Sequence, residues 1–163
     1  MQHILVVGFG NPYRGDDGFG LHAAEQFEEM NHDPEVRVVA TQELHPELAE
    51  VISQADLVLF LDAGTEGVPG TIQVGELFPS ERTTGLFSHE LTPVSLLAAA
   101  KIVYGHCPAG MLITVTGENF GISSHLSPEV AAALPRVYIR IQEIIAAAKG
   151  HEPVLARAAR VGQ

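Results

Sequence analysis

The chain has 163 residues, 46% of them hydrophobic and 18% charged, with a formal net charge of -11 at pH 7. That length and mix describe one globular domain with a substantial core and exclude a disordered chain. The negative balance excludes nucleic acid and anionic membrane as main partners, and suits solubility, a cation or a basic peptide segment. The single cysteine, Cys107, excludes an internal disulfide framework and fits a reducing cytoplasm, which is the expected location. Ile4 already belongs to the first apolar run, so no signal peptide is expected ahead of it, and no apolar run is long enough to cross a membrane.

Residues 4–20, ILVVGFGNPYRGDDGFG, organise the rest. Ile4, Leu5, Val6 and Val7 read as a buried strand closed by Gly8 and Gly10, with Asn11-Pro12 as a turn. From Gly18 to about Met30 the spacing is helical, with Leu21, Ala24 and Phe27 on one face. Between strand and helix stand two adjacent acids, Asp16 and Asp17. A dinucleotide fingerprint fails here, because Tyr13 stands where the third glycine is needed and the acids would repel a pyrophosphate. A tight turn explains Gly8 by itself. It does not explain two acids in a row.

Residues 35–40 (EVRVVA) form a second strand, and Pro46 fits the first turn of a helix running to about Ser53. Residues 56–61 (DLVLFL) are the most apolar strand, expected at the centre with both faces covered and ending in Asp62-Ala63-Gly64. After the turn at Val68-Pro69-Gly70, residues 71–77 (TIQVGEL) alternate as an edge strand, the one expected antiparallel exception. Residues 78–87 are polar and irregular. A helix begins near Thr92-Pro93 with Leu96, Leu97, Ala100 and Val103 as its apolar stripe, preceded by Ser88-His89-Glu90. Residues 111–116 (MLITVT) are another buried strand. Ser127 caps a final helix that reaches Lys149 and stops at Gly150. The expected whole is an α/β domain over residues 1–150, a mainly parallel twisted sheet of about five strands with helices on both faces. Residues 151–163 read as a tail of low order.

Asp17 follows the first strand, Asp62 ends the third and His89 precedes a helix, so the three are placed to converge at one end of the sheet. Two carboxylates and an imidazole suit a divalent transition metal and leave coordination positions open for water or substrate. The bland alternative is a capping histidine and two turn-forming aspartates. Asp16 is expected to organise the loop with Gly10 and Asn11, accepting backbone N–H bonds at the start of the helix, while Asp17 faces the metal. Cys107 lacks an activating signature and reads as a loop or near-core thiol.

The run from Gly8 to Gly20 closely resembles the opening motif of the hydrogenase maturation proteases. The likeness continues through Leu61-Asp62-Ala63, Pro69-Gly70-Thr71 and Ser88-His89 to about Gly117. The resemblance implies an endopeptidase that removes a C-terminal extension from the precursor of a nickel-iron hydrogenase large subunit after nickel insertion. It also implies that Asp17, Asp62 and His89 bind the metal and provide the catalytic candidates. Nickel is then delivered within the substrate and serves as recognition element, with other divalent metals able to substitute in vitro; a Lewis-acid role for the metal stays open. A monomer acting on that precursor, with neither nucleic acid nor membrane as partner, is expected.

Many relatives carry an aspartate and a Gly-Thr pair after the second strand, where this chain has residues 40–48, ATQELHPEL. No role of that aspartate transfers, and Glu43, His45 and Glu47 stand there as substitutes or simply as a solvated helix start. Two other readings compete. A phosphoacceptor receiver also has an acidic pair after its first strand and an Asp after its third, but it ends its last strand in a lysine, where this chain has Thr116-Gly117-Glu118. A non-catalytic binding domain would use the same concave face to hold a partner.

Overall fold

The computed structural model describes residues 2–79 and 91–150. The first strand, β1 (Ile4–Phe9), leads through a 3-10 turn (Gly15–Gly18) into helix α1 (Phe19–Met30). Strand β2 (Val36–Thr41), helix α2 (Leu48–Ser53) and strand β3 (Leu57–Gly64) follow. Then come β4 (Ile72–Leu77), α3 (Pro93–Tyr104), β5 (Ala109–Thr116) and α4 (Pro128–Lys149).

The strands form one sheet in the order β2-β1-β3-β5-β4, parallel throughout except for β4, which runs antiparallel to β5. The expected mixed α/β architecture, with its one antiparallel edge strand, is therefore present. The β1 and β3 apolar runs have no polar alternation because both of their faces are covered. Ile4, Val6, Leu57, Leu59 and Leu61 join α1 and α4 in one core layer. Leu5, Val7, Val58 and Phe60 join Ile52 of α2 and Leu96, Leu97 and Ala100 of α3 in the other. Each fully buried Leu or Ile in these layers is worth roughly 1.5–3 kcal/mol relative to exposure.

Helix α3 starts as the sequence indicates. The Thr92 hydroxyl accepts from the Ser95 N–H at 3.1 Å, while the Ser95 hydroxyl accepts from the Thr92 N–H at 2.8 Å. Its predicted stripe is one residue too long. Val103 is 66% exposed, because burial ends a turn before the helix does and Lys101 through Tyr104 all face solvent. Strand β3 is longer than the apolar run suggests: Asp62, Ala63 and Gly64 continue the ladder opposite Thr114, Val115 and Thr116. Backbone pairing extends the strand where hydrophobicity stops. The tail read at residues 151–163 lies outside the described residues.

Two glycines set the approach of α1 to the sheet. A Cβ on Gly8 would stand 2.0 Å from the Gly20 carbonyl oxygen, and one on Gly20 would stand 2.2 Å from that of Leu61. The helix start can therefore lie directly over the ends of β1 and β3 only without side chains there. Chain order reverses between those two strands, since β1 leads outward to β2 while β3 begins the other half. That crevice, beyond the carboxyl ends of the strands, is where an open α/β sheet accepts a ligand.

Candidate active site

The acidic pair splits into two environments. Asp16 has no exposed surface. Its Oδ1 accepts the Ser127 N–H at 2.7 Å, and its Oδ2 accepts the N–H groups of Glu118 and Asn119 at 2.8 and 3.0 Å. The Ser127 hydroxyl also donates to Oδ2 at 2.8 Å. Burial alone would raise this carboxyl, but the four donors outweigh it and hold Asp16 below its ordinary value. The partners of the Asp16 carboxylate lie far from it in the chain. The Asp16 carboxylate ties the 3-10 turn to the loop after β5 and to the start of α4, and none of its bonds goes to its own helix. Ser127 correspondingly makes no side-chain cap on α4, because its hydroxyl is committed to Asp16.

Asp17 turns the other way. Its Oδ2 accepts the Asn11 N–H at 2.9 Å, and Asn11 in turn accepts the Tyr13 N–H at 2.9 Å, which folds the loop into a compact turn. Gly10 makes this possible: its φ of 148° and the Asp17 carbonyl oxygen, 1.8 Å from where a Cβ would sit, leave no room for a side chain.

Asp62 lies near the end of β3, alongside the 3-10 turn that carries Asp17. Although its residue surface is only half-buried, the surrounding protein pushes its carboxyl up to about 7. Loss of water is the main cause; the Ala63 N–H, bonded at 2.8 Å, opposes the rise, and the charge of Asp17 adds to it. The structure therefore brings two of the three predicted ligands into electrostatic contact at the β1–β3 crevice.

His89 lies outside the described residues, and among the described residues no group of three or more His, Cys, Asp or Glu side chains gathers as a ligand set. The donor chemistry of the Asp17–Asp62 pair still fits a divalent cation. A carboxyl raised by desolvation and by a like charge is one whose ionised form a cation would relieve. Glu43, His45 and Glu47 are exposed on the segment between β2 and α2, and none hydrogen-bonds to Asp17 or Asp62 among the described residues. Cys107 is a near-core thiol packed beside the α2–α3 layer, and burial pushes its thiol up.

Ser127 and the backbone of Glu118 and Asn119 are the participants that sequence reasoning misses. They lie more than a hundred positions from Asp16, and the Ser-Pro-Glu pattern reads as an ordinary helix start.

No family model matches the chain. Over 112 residues it is 32% identical to the hydrogenase expression/formation protein HupD of Rhizobium leguminosarum bv. viciae, a match covering 64% of this chain and 54% of that protein. The chain thus spans about half the length of this curated relative. The solved structure of a hydrogenase 2 maturation peptidase from Thaumarchaeota archaeon SCGC_AB-539-E09 superposes with a TM-score of 0.68 at 27% identity, over 89% of this chain and 99% of that one. The [NiFe] hydrogenase maturation protease HycI from Thermococcus kodakarensis KOD1 shares the fold with a TM-score of 0.71 at 24% identity, over 86% of this chain and 90% of that one. The chain is therefore similar in sequence to a hydrogenase expression/formation protein and in fold to hydrogenase maturation proteases.

Proposed function

We propose that this protein is an endopeptidase that removes a C-terminal extension from the precursor of a nickel-iron hydrogenase large subunit once nickel is in place. The observation that carries this reading is the Asp17–Asp62 pair, two acids on separate elements whose charges act on each other at the sheet's ligand-binding edge. Nickel enters as part of the substrate, and Asp17, Asp62 and His89 are the residues that would meet it. Bound there, the metal would mark the precursor as ready or polarise the scissile carbonyl. The chain's own contribution is positional and protonic. The Asn11 N–H fixes one oxygen of Asp17, and Asp62, with a pKa of about 7, exchanges its proton near neutrality.

Two carboxylates and one imidazole do not distinguish nickel from zinc or copper, so selectivity falls to the soft thiolate ligands already around the metal in the precursor. The free protein, a cytoplasmic monomer in this reading, accordingly binds metal weakly. The test is incubation with nickel-loaded and nickel-free precursor, followed by mass measurement of the precursor's C-terminus. Loss of a C-terminal fragment only from the loaded form supports the proposal, and no loss from either defeats it. Cleavage of metal-free precursor by a protein holding nickel stoichiometrically would shift the metal to a Lewis-acid role. The receiver reading finds no support, since β5 ends at Thr116 and is followed by Gly117 and Glu118 with no lysine. A binding domain without catalysis is likewise unsupported by the relatives, which include a peptidase and a protease.

A further inference from the structure

The face of α4 turned toward the β3–β4 turn carries a feature that the acidic pair does not use. A cavity of about 580 Å³ opens there, with Pro69 and Ile72 on one side and Arg136, Ile139, Arg140 and Glu143 of α4 on the other. Four-residue spacing stacks Arg136 and Arg140 along one face of the helix. In a chain with only nine lysines and arginines and a net charge of -11, this is a local concentration of positive charge.

Nη1 of Arg140 is buried and has no hydrogen-bond partner among the described residues, and it alone of their buried side-chain nitrogens and oxygens is in that state. Glu143, one turn further along, has the right spacing to pair with Arg140. Yet the ion pairs formed among the described residues are those of Lys149 with Asp33 and Glu35. An arginine kept only for stability would be paired, because an unpaired buried donor costs its full desolvation. Such a group calls for a missing acceptor.

The planar guanidinium fork matches a carboxylate. Thr71 and Glu143 are polar, whereas Pro69, Ile72 and Ile139 give the cavity apolar walls: Ile139 is 54% exposed, and Val68, next to the lining residue Pro69, is 73% exposed. A bare inorganic anion would leave these walls wet, whereas a carboxylate carried on an apolar peptide satisfies both surfaces. We propose that this cavity is a second binding site, taking the carboxylate of an acidic side chain within an apolar peptide segment. It needs neither Asp17, Asp62 nor any metal, and it stands whether or not the chain cleaves a precursor.

The test is a titration of the full chain, followed by backbone amide NMR, with the blocked peptide acetyl-Leu-Val-Glu-Leu-Val-amide, its Gln counterpart and inorganic phosphate. The Glu peptide should shift the amides of Ile72, Ile139 and Arg140 and bind about tenfold more tightly than the Gln peptide, the effect of one charge-assisted hydrogen bond. Arg140→Met should erase that preference and raise the thermal midpoint, since it removes a buried N–H group that has no partner. Arg136→Met should weaken the preference in a protein whose Arg140 is intact. Equal binding of the two peptides, shifts elsewhere than the cavity, or phosphate competing as strongly as the Glu peptide would overturn the proposal. A lower midpoint or loss of folding in Arg140→Met would also overturn it, because the arginine would then be structural.

Discussion

Asp16 and Asp17 are neighbours in the chain and opposites in the molecule. Asp16 is buried, receives four hydrogen bonds and is held below the usual carboxylate range. Asp17 is only half-buried, keeps one loop N–H, and adds its charge to the burial that pushes Asp62 up to about 7. One region spends its carboxylate on joining three segments of backbone. The other leaves each carboxylate with a single N–H donor. A carboxylate's role here follows from the number of N–H groups aimed at it, and the residue type says nothing of that.

The largest expected effect is on activity. Asp17→Ala and Asp62→Ala should each lower cleavage of nickel-loaded precursor by roughly a thousandfold or more, the loss of several kcal/mol of charge stabilisation. Their far-ultraviolet circular dichroism should match the unmodified protein. Residual cleavage within a few fold of normal in either variant would detach that acid from the site.

The next effect is on stability. Asp16→Ala orphans three backbone N–H groups and one hydroxyl, and should cost about 3–5 kcal/mol, or about 10 °C in the thermal midpoint. Because the folded pKa of Asp16 is depressed, its contribution is present above the unfolded value and disappears as pH falls through the folded one. The gap between Asp16→Ala and the unmodified protein should therefore close only in strong acid. A gap of under 1 kcal/mol at neutral pH would remove the contrast between the two aspartates.

Asp62 should behave with the opposite sign. Its folded pKa of about 7 stands above the unfolded value of 3.8, so the folded state holds the proton more tightly. Stability from this group is complete below pH 3.8 and is lost as pH rises through about 7. In metal-free protein, Asp62→Asn should gain on the order of 1–3 kcal/mol relative to the unmodified chain above pH 7, allowing for partial hydration, and nothing near pH 3.5. Denaturant titrations across this range would show it. A pH-independent difference would mean that Asp62 titrates normally.

The smallest effect sharpens the comparison. Ser127→Ala removes one hydroxyl from Asp16 while sparing the backbone bond, and should cost about 1 kcal/mol. In the Asp16→Ala background the same change should cost much less, since its partner is gone. Equal costs in both backgrounds would show that Ser127 acts on α4 alone.

Local physics made much of this molecule legible in the sequence. The apolar runs at residues 4–7 and 57–61 mark β1 and β3 because strands covered on both faces need no polar alternation. The Thr92-Pro93 start of α3 is a property of a few adjacent residues, and so is the glycine-bearing turn after β1. The placement of Asp17 and Asp62 at strand ends follows from that element order. Only the tertiary structure decided the rest. Which aspartate is buried depends on Glu118, Asn119 and Ser127, more than a hundred positions away, and hydrogen bonds over such separations leave no local pattern. The extension of β3 through Asp62 was set by its partner strand, because ladder bonds form between backbones whatever the side chains. The rise of Asp62 to about 7 required both enclosure by the fold and the charge of Asp17 beside it. Desolvation and Coulomb forces act through space, where sequence distance has no meaning.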